Sequence, residues 1–262
     1  MARLFAGIDS GAATVKTVII NGGNETLTSN VISTGGDALL SAKTSFNRAL
    51  EEIGVSKDDI EFTIATGYGR KMVPFAGKAI TEIICHARGG KIFYPDVRTI
   101  IDIGGQDSKV IGMDEEGTGS QHNLNYKCAA GTGRFLEVMA DVLEVGIDGI
   151  GPLSLKGKKP CHISSTCTVF AESEVVTHRA KKEKTENILA GIHESIAKRV
   201  VSMGIRVGYN ERILFTGGVA KNCGVHKALE KEIGKEITIP RKPQIIGALG
   251  AALYAKEECE RK

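Results

Sequence analysis

The sequence contains no tryptophan, and aromatic residues make up only 5% of it, so the core must consist mainly of aliphatic side chains. It also lacks any block of five basic residues, and its formal net charge is only +3. The most basic stretch, Lys181–Lys184, is interrupted by Glu183 and is typical of a solvated helix face. A nucleic-acid partner is therefore not indicated.

Long hydrophobic runs are absent as well. The longest, residues 245–255, is well short of the ~20 apolar residues that a membrane helix needs. The apolar segment near the N-terminus is interrupted by Asp9, which argues against a signal peptide. We therefore expect a cytoplasmic protein with no membrane partner.

The six cysteines do not form closely spaced pairs of the kind that announce a zinc site or a ferredoxin-type cluster. In a reducing compartment we expect free thiols instead of disulfides. A metal site in this chain would have to be assembled from distant positions or from two chains. The cysteines are Cys85, Cys128, Cys161, Cys167, Cys223 and Cys259.

Glycine, by contrast, is abundant, with 32 residues among 262, which indicates many tight turns. Short apolar stretches alternate with amphipathic ones, and this pattern predicts an α/β fold. Predicted strands cover residues 4–9, 14–20, 25–34, 60–65, 98–102, 110–112, 212–215 and 236–239. Predicted helices cover residues 37–53, 80–93, 135–143, 187–207, 220–229 and 245–255. A Gly/Lys-rich loop is predicted at 151–159, and residues 161–170 are predicted to be a strand or loop that enters a helix.

One pattern occurs twice. Asp9-Ser10-Gly11 is followed by Lys16, and Asp102-Ile103-Gly104 is followed by Lys109 at the same spacing. Each copy reads as a hydrophobic strand, an acid at its end, a glycine turn and a returning strand. We interpret the two copies as an internal duplication.

The glycine turns predict a phosphate site, although neither common nucleotide motif is present. The stretch Gly11–Thr17 lacks the second glycine of a P-loop and leads into a strand, and Gly131-Thr132-Gly133 lacks the third glycine of a dinucleotide fingerprint. Two facing turns can instead direct backbone N–H groups at phosphate oxygens, while Asp9 and Asp102 hold a hydrated Mg²⁺ from both sides. A further glycine turn occurs at Gly217-Gly218.

A second feature is Cys128, just ahead of a glycine turn that opens into an amphipathic helix. Thr132 is predicted to cap this helix by accepting from a free N–H of the first turn. The remaining unpaired N–H groups would then point back toward Cys128, where they suit an anion such as a phosphate or an iron–sulfur cluster. The alternative is a free buried cysteine before an ordinary helix.

The three glycine turns resemble those of the actin, Hsp70 and sugar-kinase superfamily. The resemblance implies a duplicated actin-like ATPase fold with a nucleotide cleft between two lobes, here residues 1–103 and 104–262, the C-terminal helix packing back on the first. The first loop carries Ala12-Ala13 where the superfamily commonly has a hydroxyl residue. The implied nucleotide contacts are Gly11, Ala12, Ala13, Thr14, Val15, Lys16, Gly104, Gly105, Gln106, Gly217, Gly218, Val219 and Gln244.

A closer resemblance covers nearly the whole chain. Ile101–Asp107, Lys127–Phe135 and Ile163–Glu174 are similar to segments of the ATP-dependent activators of 2-hydroxyacyl-CoA dehydratases, a family that includes the ATPase subunits of benzoyl-CoA reductase. The resemblance implies a homodimer that holds one [4Fe–4S] cluster between Cys128 and Cys167 of each chain. It also implies a dehydratase as partner and ferredoxin or flavodoxin as electron donor.

The expected function is therefore ATP hydrolysis coupled to the transfer of a single low-potential electron to a dehydratase. Asp9, Asp102 and Gln106 are the candidate catalytic residues, and Gln106 or Asp107 would orient the hydrolytic water. Within the family, the alternative is a subunit of a benzoyl-CoA reductase. Outside it, the alternatives are a small-molecule kinase of the same fold and a nucleotide-gated binding module.

Overall fold

The computed structural model describes residues 3–114, 117, 119, 121–164 and 167–261. The strands are β1 (Leu4–Ser10), β2 (Thr14–Asn21), β3 (Thr26–Ser33), β4 (Ile60–Thr66), β5 (Lys78–Ala79), β6 (Thr99–Ile103), β7 (Ser108–Gly112), β8 (Gln121–Asn125), β9 (Ile213–Thr216) and β10 (Ile237–Thr238). The helices are α1 (Ala38–Ile53), α2 (Glu82–Phe93), α3 (Gly133–Leu143), α4 (Ile147–Ser154), α5 (Thr168–Ala180), α6 (Thr185–Gly204), α7 (Cys223–Ile233) and α8 (Ile246–Glu260).

These elements form two compact units. The first contains the described residues of 1–97, 113–120 and 242–262, and the second contains residues 98–112 and the described residues of 121–241. The chain thus returns to its first unit through the segment that carries α8. Strand β6, with Asp102, belongs to the second unit.

The first unit is built on a five-stranded sheet in the order β3-β2-β1-β4-β5. The neighbours β1, β2 and β3 are antiparallel, whereas β4 and β5 continue the sheet in parallel with β1. Every residue of β1 is buried, as expected for a central strand that is covered on both faces. Helix α1 packs on one face, and α8 with α2 packs on the other.

Helix α8 lies directly on the central strand at Gly7. A Cβ atom at this position would collide with the backbone of Ala248 and Ala252 in α8. Glycine is therefore required here, because the helix backbone occupies the space of any side chain.

The second unit repeats this architecture. Its sheet has the order β10-β9-β6-β7-β8, in which β6, β7 and β8 are antiparallel neighbours and β9 and β10 add in parallel to β6. Helices α3 to α7 enclose a single large core, and α6 is buried along most of its length. Two sheets of matching strand order confirm the predicted α/β fold and its internal duplication.

The register of the strands extends the duplication to single residues. Asp9 is paired with Lys16 across β1 and β2, and Asp102 is paired with Lys109 across β6 and β7. In both sheets the acid stands one or two residues before its turn, with the lysine opposite. The spacing seen in the sequence is thus a cross-strand pair in the structure.

The loop predicted at residues 151–159 is wrong in its first part, because Gly151–Ser154 belong to α4. This helix contains Pro152, which disfavours helix strongly, and it forms because Ile150 is buried in the core and α4 packs against α6. The short strands β5 and β8 also go beyond the predicted elements. No helix in the described part of the chain is long and apolar enough to cross a membrane.

Candidate functional site

The glycine turn between β1 and β2 is closed by its own backbone. The N–H of Gly11 donates to the carbonyl of Thr14 at 3.1 Å, and the Thr34 hydroxyl donates to the Gly11 carbonyl at 2.8 Å. The Gly11 N–H is therefore used within the turn. Ala12 is exposed and Ala13 half-buried, while the Val15 side chain is fully buried in the core, so Val15 can reach a ligand only through its backbone.

Asp9 is 6% exposed and lies at the end of β1 with its carboxylate 3.2 Å from Lys16 Nζ. Gly67 follows the neighbouring strand β4 with a φ of +88°. A Cβ at Gly67 would collide with Asp9 Oδ1, so this glycine is what permits the close approach. On the other side, Gly247 at the start of α8 separates Asp9 from the buried His86 ring.

Asp102 has the equivalent position in the second unit, but its carboxylate has two polar partners at shorter distances. Lys109 Nζ lies 2.9 Å from its Oδ2, and the Thr216 hydroxyl donates to its Oδ1 at 2.9 Å. Lys109 is only 2% exposed and also pairs with Asp107 at 2.8 Å. A cation at Asp102 would therefore compete with a buried lysine for the same carboxylate oxygens.

The turn after β6 is closed like the first one, by the Gly104 N–H donating to the Asp107 carbonyl at 2.9 Å. Of the two candidates for orienting water, Asp107 is held by Lys109, whereas Gln106 is exposed. Gly105, directly before Gln106, is half-buried.

The third glycine turn follows β9. Gly217 has a φ of +87°, and a Cβ there would collide with the carbonyl of Ile103 and lie 2.9 Å from Asp102 Oδ1. Gly218 is exposed and Val219 is buried. The remaining predicted nucleotide residue, Gln244, is half-buried in the first unit, two residues before α8.

The structure identifies Thr66-Gly67, to which the sequence analysis gives no role, as the equivalent of Thr216-Gly217. Thr66-Gly67 stands beside Asp9 as Thr216-Gly217 stands beside Asp102, in the same parallel register. Gly69 N–H also donates to the Ser10 carbonyl at 2.8 Å, so the turn after β4 is tied to the first glycine turn. The signal in the sequence is a Thr-Gly pair directly after an apolar strand in each half.

The Cys128 turn is folded around the side chain of Asn125. This side chain donates to the carbonyl of Cys128 at 2.9 Å and to that of Ala130 at 3.1 Å, and it accepts from the Cys128 N–H at 3.3 Å. Thr132 precedes α3 as predicted, but its hydroxyl donates to the Ala129 carbonyl at 2.6 Å and caps no N–H group. The predicted capping role of Thr132 is therefore wrong.

The first two N–H groups of α3 are not free either. Gly133 donates to the carbonyl of Gly104 at 2.9 Å, and Arg134 donates to the carbonyl of Gly105 at 2.8 Å. Helix α3 is thus capped by the second glycine turn, which corrects the expectation that these N–H groups point at an anion near Cys128. It also joins the Cys128 turn to the predicted phosphate turn by two hydrogen bonds.

Cys167 stands immediately before α5, as its N-cap residue, with no side-chain capping bond. Glu174 on α5 accepts from the N–H of Ser164 and so anchors the chain ahead of Cys167. Ser165 and Thr166, part of the motif that the sequence analysis compares with the activators, lie outside the described residues.

Helices α3 and α5 pack against each other within the core of the second unit. Arg179, near the end of α5, donates to the carbonyl of Val142 and lies 3.2 Å from Glu144, both near the end of α3. The two helices are therefore joined near their C-terminal ends. Cys128 and Cys167 precede their N-terminal ends.

Both cysteines are half-buried free thiols. By contrast, Cys85 is buried beneath α8, and its burial raises the pKa of the thiol to about 12, so it stays protonated. Among the described residues, no group of three or more His, Cys, Asp or Glu side chains could hold a metal ion. Cys161, Cys223 and Cys259 are half-buried free thiols as well, so Cys128 and Cys167 are distinguished by their place ahead of α3 and α5 and not by exposure.

Large apolar side chains are exposed next to both cysteines. Tyr126 is 63% exposed just before Cys128, and Val169 and Phe170 are 66% and 65% exposed just after Cys167. Exposed apolar groups of this size typically mark a contact surface.

The comparisons with known proteins agree over nearly the whole chain. The model of the BadF/BadG/BcrA/BcrD ATPase family matches residues 6–255. The chain is 46% identical to a 2-hydroxyisocaproyl-CoA dehydratase activator of Clostridioides difficile, covering 97% of this chain and 95% of that protein. It is 45% identical to an (R)-2-hydroxyglutaryl-CoA dehydratase activating ATPase of Acidaminococcus fermentans, covering 97% and 98% of the two chains.

Solved structures give the same result. The activator of the 2-hydroxyisocaproyl-CoA dehydratase from Clostridium difficile with bound ADPNP matches with a TM-score of 0.93 at 44% identity, over 100% of this chain and 96% of that one. A ROK family glucokinase from Streptomyces griseus matches with a TM-score of 0.58 at 11% identity, over 97% and 99% of the two chains. The second likeness concerns the fold alone and agrees with the predicted fold.

Proposed function

Because the chain belongs to the BadF/BadG/BcrA/BcrD ATPase family, we propose that it is an ATP-hydrolysing activator of a 2-hydroxyacyl-CoA dehydratase. In this proposal the chain hydrolyses ATP to ADP and phosphate, and one low-potential electron passes from ferredoxin or flavodoxin to the dehydratase. Support comes from the two relatives with activator functions, which match at 45–46% identity along nearly their full length.

The nucleotide is assigned to the duplicated turns. Lys16 and the turn of Gly11 to Thr14 would bind phosphate in the first unit, and the turn of Gly104 to Gln106 would do so in the second. Asp9, whose carboxylate has a half-buried lysine as partner, is better suited to a hydrated Mg²⁺ than Asp102, whose two oxygens already receive donors. Exposed Gln106 is then the residue that orients the attacking water, while Asp107 remains with Lys109.

Cys128 and Cys167 are the proposed ligands of a [4Fe–4S] cluster, together with the same two residues of a second chain. The donor set fits, because thiolates are the ligands of such clusters and both thiols are half-buried, free and placed just ahead of two helices that pack against each other. When bound, the cluster supplies a one-electron redox centre. Two thiols per chain become four across a two-fold axis.

The exposed apolar side chains support the same homodimer. Tyr126, Val169 and Phe170 flank the two cysteines and would be covered if the second chain approached them. A symmetric contact requires one surface to match itself, and apolar groups around a central pair of ligands meet that requirement.

The observation that carries the proposal is the attachment of the Cys128 turn to the second glycine turn. The two hydrogen bonds from Gly133 and Arg134 to Gly104 and Gly105 give a phosphate turn a direct mechanical connection to a cluster ligand. A plain small-molecule kinase has no need for such a connection. An activator that couples hydrolysis to electron transfer does.

The test is anaerobic purification followed by absorption spectroscopy and analysis of iron and sulfide. We expect a brown dimer with about two iron and two sulfide per chain. Cys128→Ser and Cys167→Ser should each lose the cluster while retaining ATP binding, and Cys259→Ser in α8 should behave as the wild type. A colourless wild-type protein that phosphorylates a small molecule would identify a kinase instead.

A further inference from the structure

The side chain of Asn125 makes more hydrogen bonds to the Cys128 turn than any backbone group within that turn does. Asn125 ends strand β8, is 9% exposed, and makes three hydrogen bonds to the turn, two of them to Cys128 itself. With Thr132 bonded to the Ala129 carbonyl, all three consecutive carbonyls from Cys128 to Ala130 accept from a side chain. The turn therefore depends on side chains for its conformation.

We propose that Asn125 is the positioning residue of Cys128: it fixes the backbone that bears this thiolate and so determines the reactivity of the thiolate and the environment of the cluster. The part of this proposal that concerns the cluster rests on the proposed function. The part that concerns the conformation of the Cys128 turn rests only on the hydrogen bonds of Asn125. In this proposal Asn125 acts only through the turn that it holds.

The chemistry of the amide is what the turn requires. The Asn125 NH₂ group supplies two donors to two carbonyls, and its oxygen accepts from one N–H, so all three hydrogen bonds come from a single planar group. Aspartate has almost the same shape but no donor, and it would place a carboxylate against two carbonyl oxygens. Replacement by aspartate therefore separates hydrogen bonding from packing.

The position of the three Asn125 hydrogen bonds gives them a functional consequence. The turn that Asn125 holds on one side is continuous with α3, which is held by Gly104 and Gly105 on the other. When the turn at Gly104 and Gly105 moves, the Asn125 hydrogen bonds therefore limit how far Cys128 moves with it. Loss of these hydrogen bonds should leave the Cys128 thiol more exposed and less responsive to nucleotide.

The strand offers a matched control. Asn123 lies two residues earlier on β8, and its side chain also donates to a backbone carbonyl, that of Met203 at 2.9 Å. Met203 is on α6 and takes no part in the Cys128 turn. Asn123→Asp thus removes a similar hydrogen bond from the same strand.

The first measurement uses cluster-free, reduced protein and iodoacetamide, with the alkylation of each cysteine followed by peptide mass spectrometry. We expect Asn125→Ala to accelerate alkylation of Cys128 by about tenfold or more, since each lost hydrogen bond corresponds to roughly fivefold in the population of an opened turn. Asn125→Asp should accelerate it at least as much. Cys167 provides the internal reference, and its rate should change less than twofold on this scale.

The second measurement uses protein loaded with its cluster. The reduction potential and the EPR signal of the reduced cluster should shift in Asn125→Ala, and a chelator should remove iron about tenfold faster. Asn123→Asp should change none of these quantities. Asn125→Ser, which keeps one donor and one acceptor, should fall between the alanine variant and the wild type, and it replaces Asn125→Asp if that variant does not fold.

Two outcomes would overturn the inference. One is an unchanged rate at Cys128 in Asn125→Ala, and the other is an equal acceleration at Cys128 and Cys167, which would make Asn125 a general support of the unit. Failure of the proposed function is distinguishable, because it appears as a wild-type protein without iron, while the alkylation rates still report on Asn125.

Discussion

The two duplicated aspartates differ in what surrounds them, and this difference predicts different consequences of the same substitution. Asp102 is locked between Lys109 and Thr216, and Lys109 is almost completely buried. Asp9 pairs at a longer distance with Lys16, whose side chain is 14% exposed. Removing one partner of a buried pair leaves an uncompensated charge, whereas the more exposed pair can be rescued by water.

We expect Asp102→Asn to lower the free energy of unfolding by about 2–4 kcal/mol, somewhat below the full cost of a broken buried pair because Lys109 keeps Asp107. Asp9→Asn should cost less, about 1–2 kcal/mol, because Asp9 is buried but its partner Lys16 lies at 3.2 Å and reaches solvent. Both variants should reduce MgATP hydrolysis by roughly 10²–10³-fold. Urea unfolding followed by circular dichroism and steady-state hydrolysis provide the measurements, and equal losses of stability in the two variants would contradict this account.

His193 on α6 gives the molecule a pH-dependent stability. It is 1% exposed, its Nε2 lies 3.4 Å from Asn222 Nδ2, and burial lowers the pKa of its ring to about 4. The folded protein therefore keeps this ring neutral, whereas the unfolded chain takes up a proton below about pH 6.5.

Because the unfolded state binds more protons between about pH 6.5 and pH 4, stability should fall as the pH is lowered through this range, by up to about 3 kcal/mol. The measurement is the free energy of unfolding at pH 7.5, 6.0, 5.0 and 4.5 in the wild type and in His193→Gln. The variant should show a flatter pH dependence. Parallel curves for the two proteins would show that His193 does not contribute.

At the scale of the element, the attachment of α3 to the second glycine turn depends on a residue without a side chain. A Cβ at Gly133 would lie 3.1 Å from the Gly104 carbonyl oxygen and 3.3 Å from Gly105 Cα, both of them backbone atoms. An alanine there should push the helix away from the turn and lengthen the two hydrogen bonds that join them. The turn and the helix would then move more independently.

We expect Gly133→Ala to destabilise the protein by about 1–2 kcal/mol, despite the better helix propensity of alanine, because of this crowding. It should also slow MgATP hydrolysis and speed alkylation of Cys128. Gly149→Ala in α4 is the control, since its Cβ would meet Val145 at an ordinary 3.5 Å. The control should be neutral or stabilising by up to about 1 kcal/mol, and a similar loss in both variants would count against the attachment.

The elements also show what a sequence can and cannot predict. The Asp-Gly-Lys repeat predicts both sheets because it is local: a strand, a turn and the facing lysine lie within one hairpin. Strand β8 escapes prediction because its residues Gln121–Asn125 are mostly polar and exposed, and α4 because Pro152 contradicts its propensity. Thr132 is recognised as the residue before α3, but the helix is capped by the carbonyls of Gly104 and Gly105, each 29 positions before the residue that donates to it. No local pattern encodes such a contact.

At the scale of the whole molecule, the connection from the glycine turn to Cys128 predicts that nucleotide and cluster respond to each other. We expect a chelator to remove iron faster with MgATP than with MgADP, and the reduced cluster to change its potential or EPR signal. By linkage, a dehydratase that favours the ATP-bound dimer must tighten ATP binding by the same factor. Partner affinity measured with ADP and with a non-hydrolysable ATP analogue, at fixed ionic strength, tests this. Equal affinities together with an unchanged spectrum would leave the two sites independent.

The return of the chain to its first unit has a consequence for biosynthesis. Strand β1 leaves the ribosome early, yet the helix that covers Phe5 and Gly7 is encoded after the entire second unit. During translation the second unit can therefore complete its core first, while the earlier sheet waits with one apolar face uncovered. At ~5–20 residues per second this wait lasts many seconds, long enough for chaperones to bind the nascent sheet. The portion of the chain that is made first would then be the last to mature.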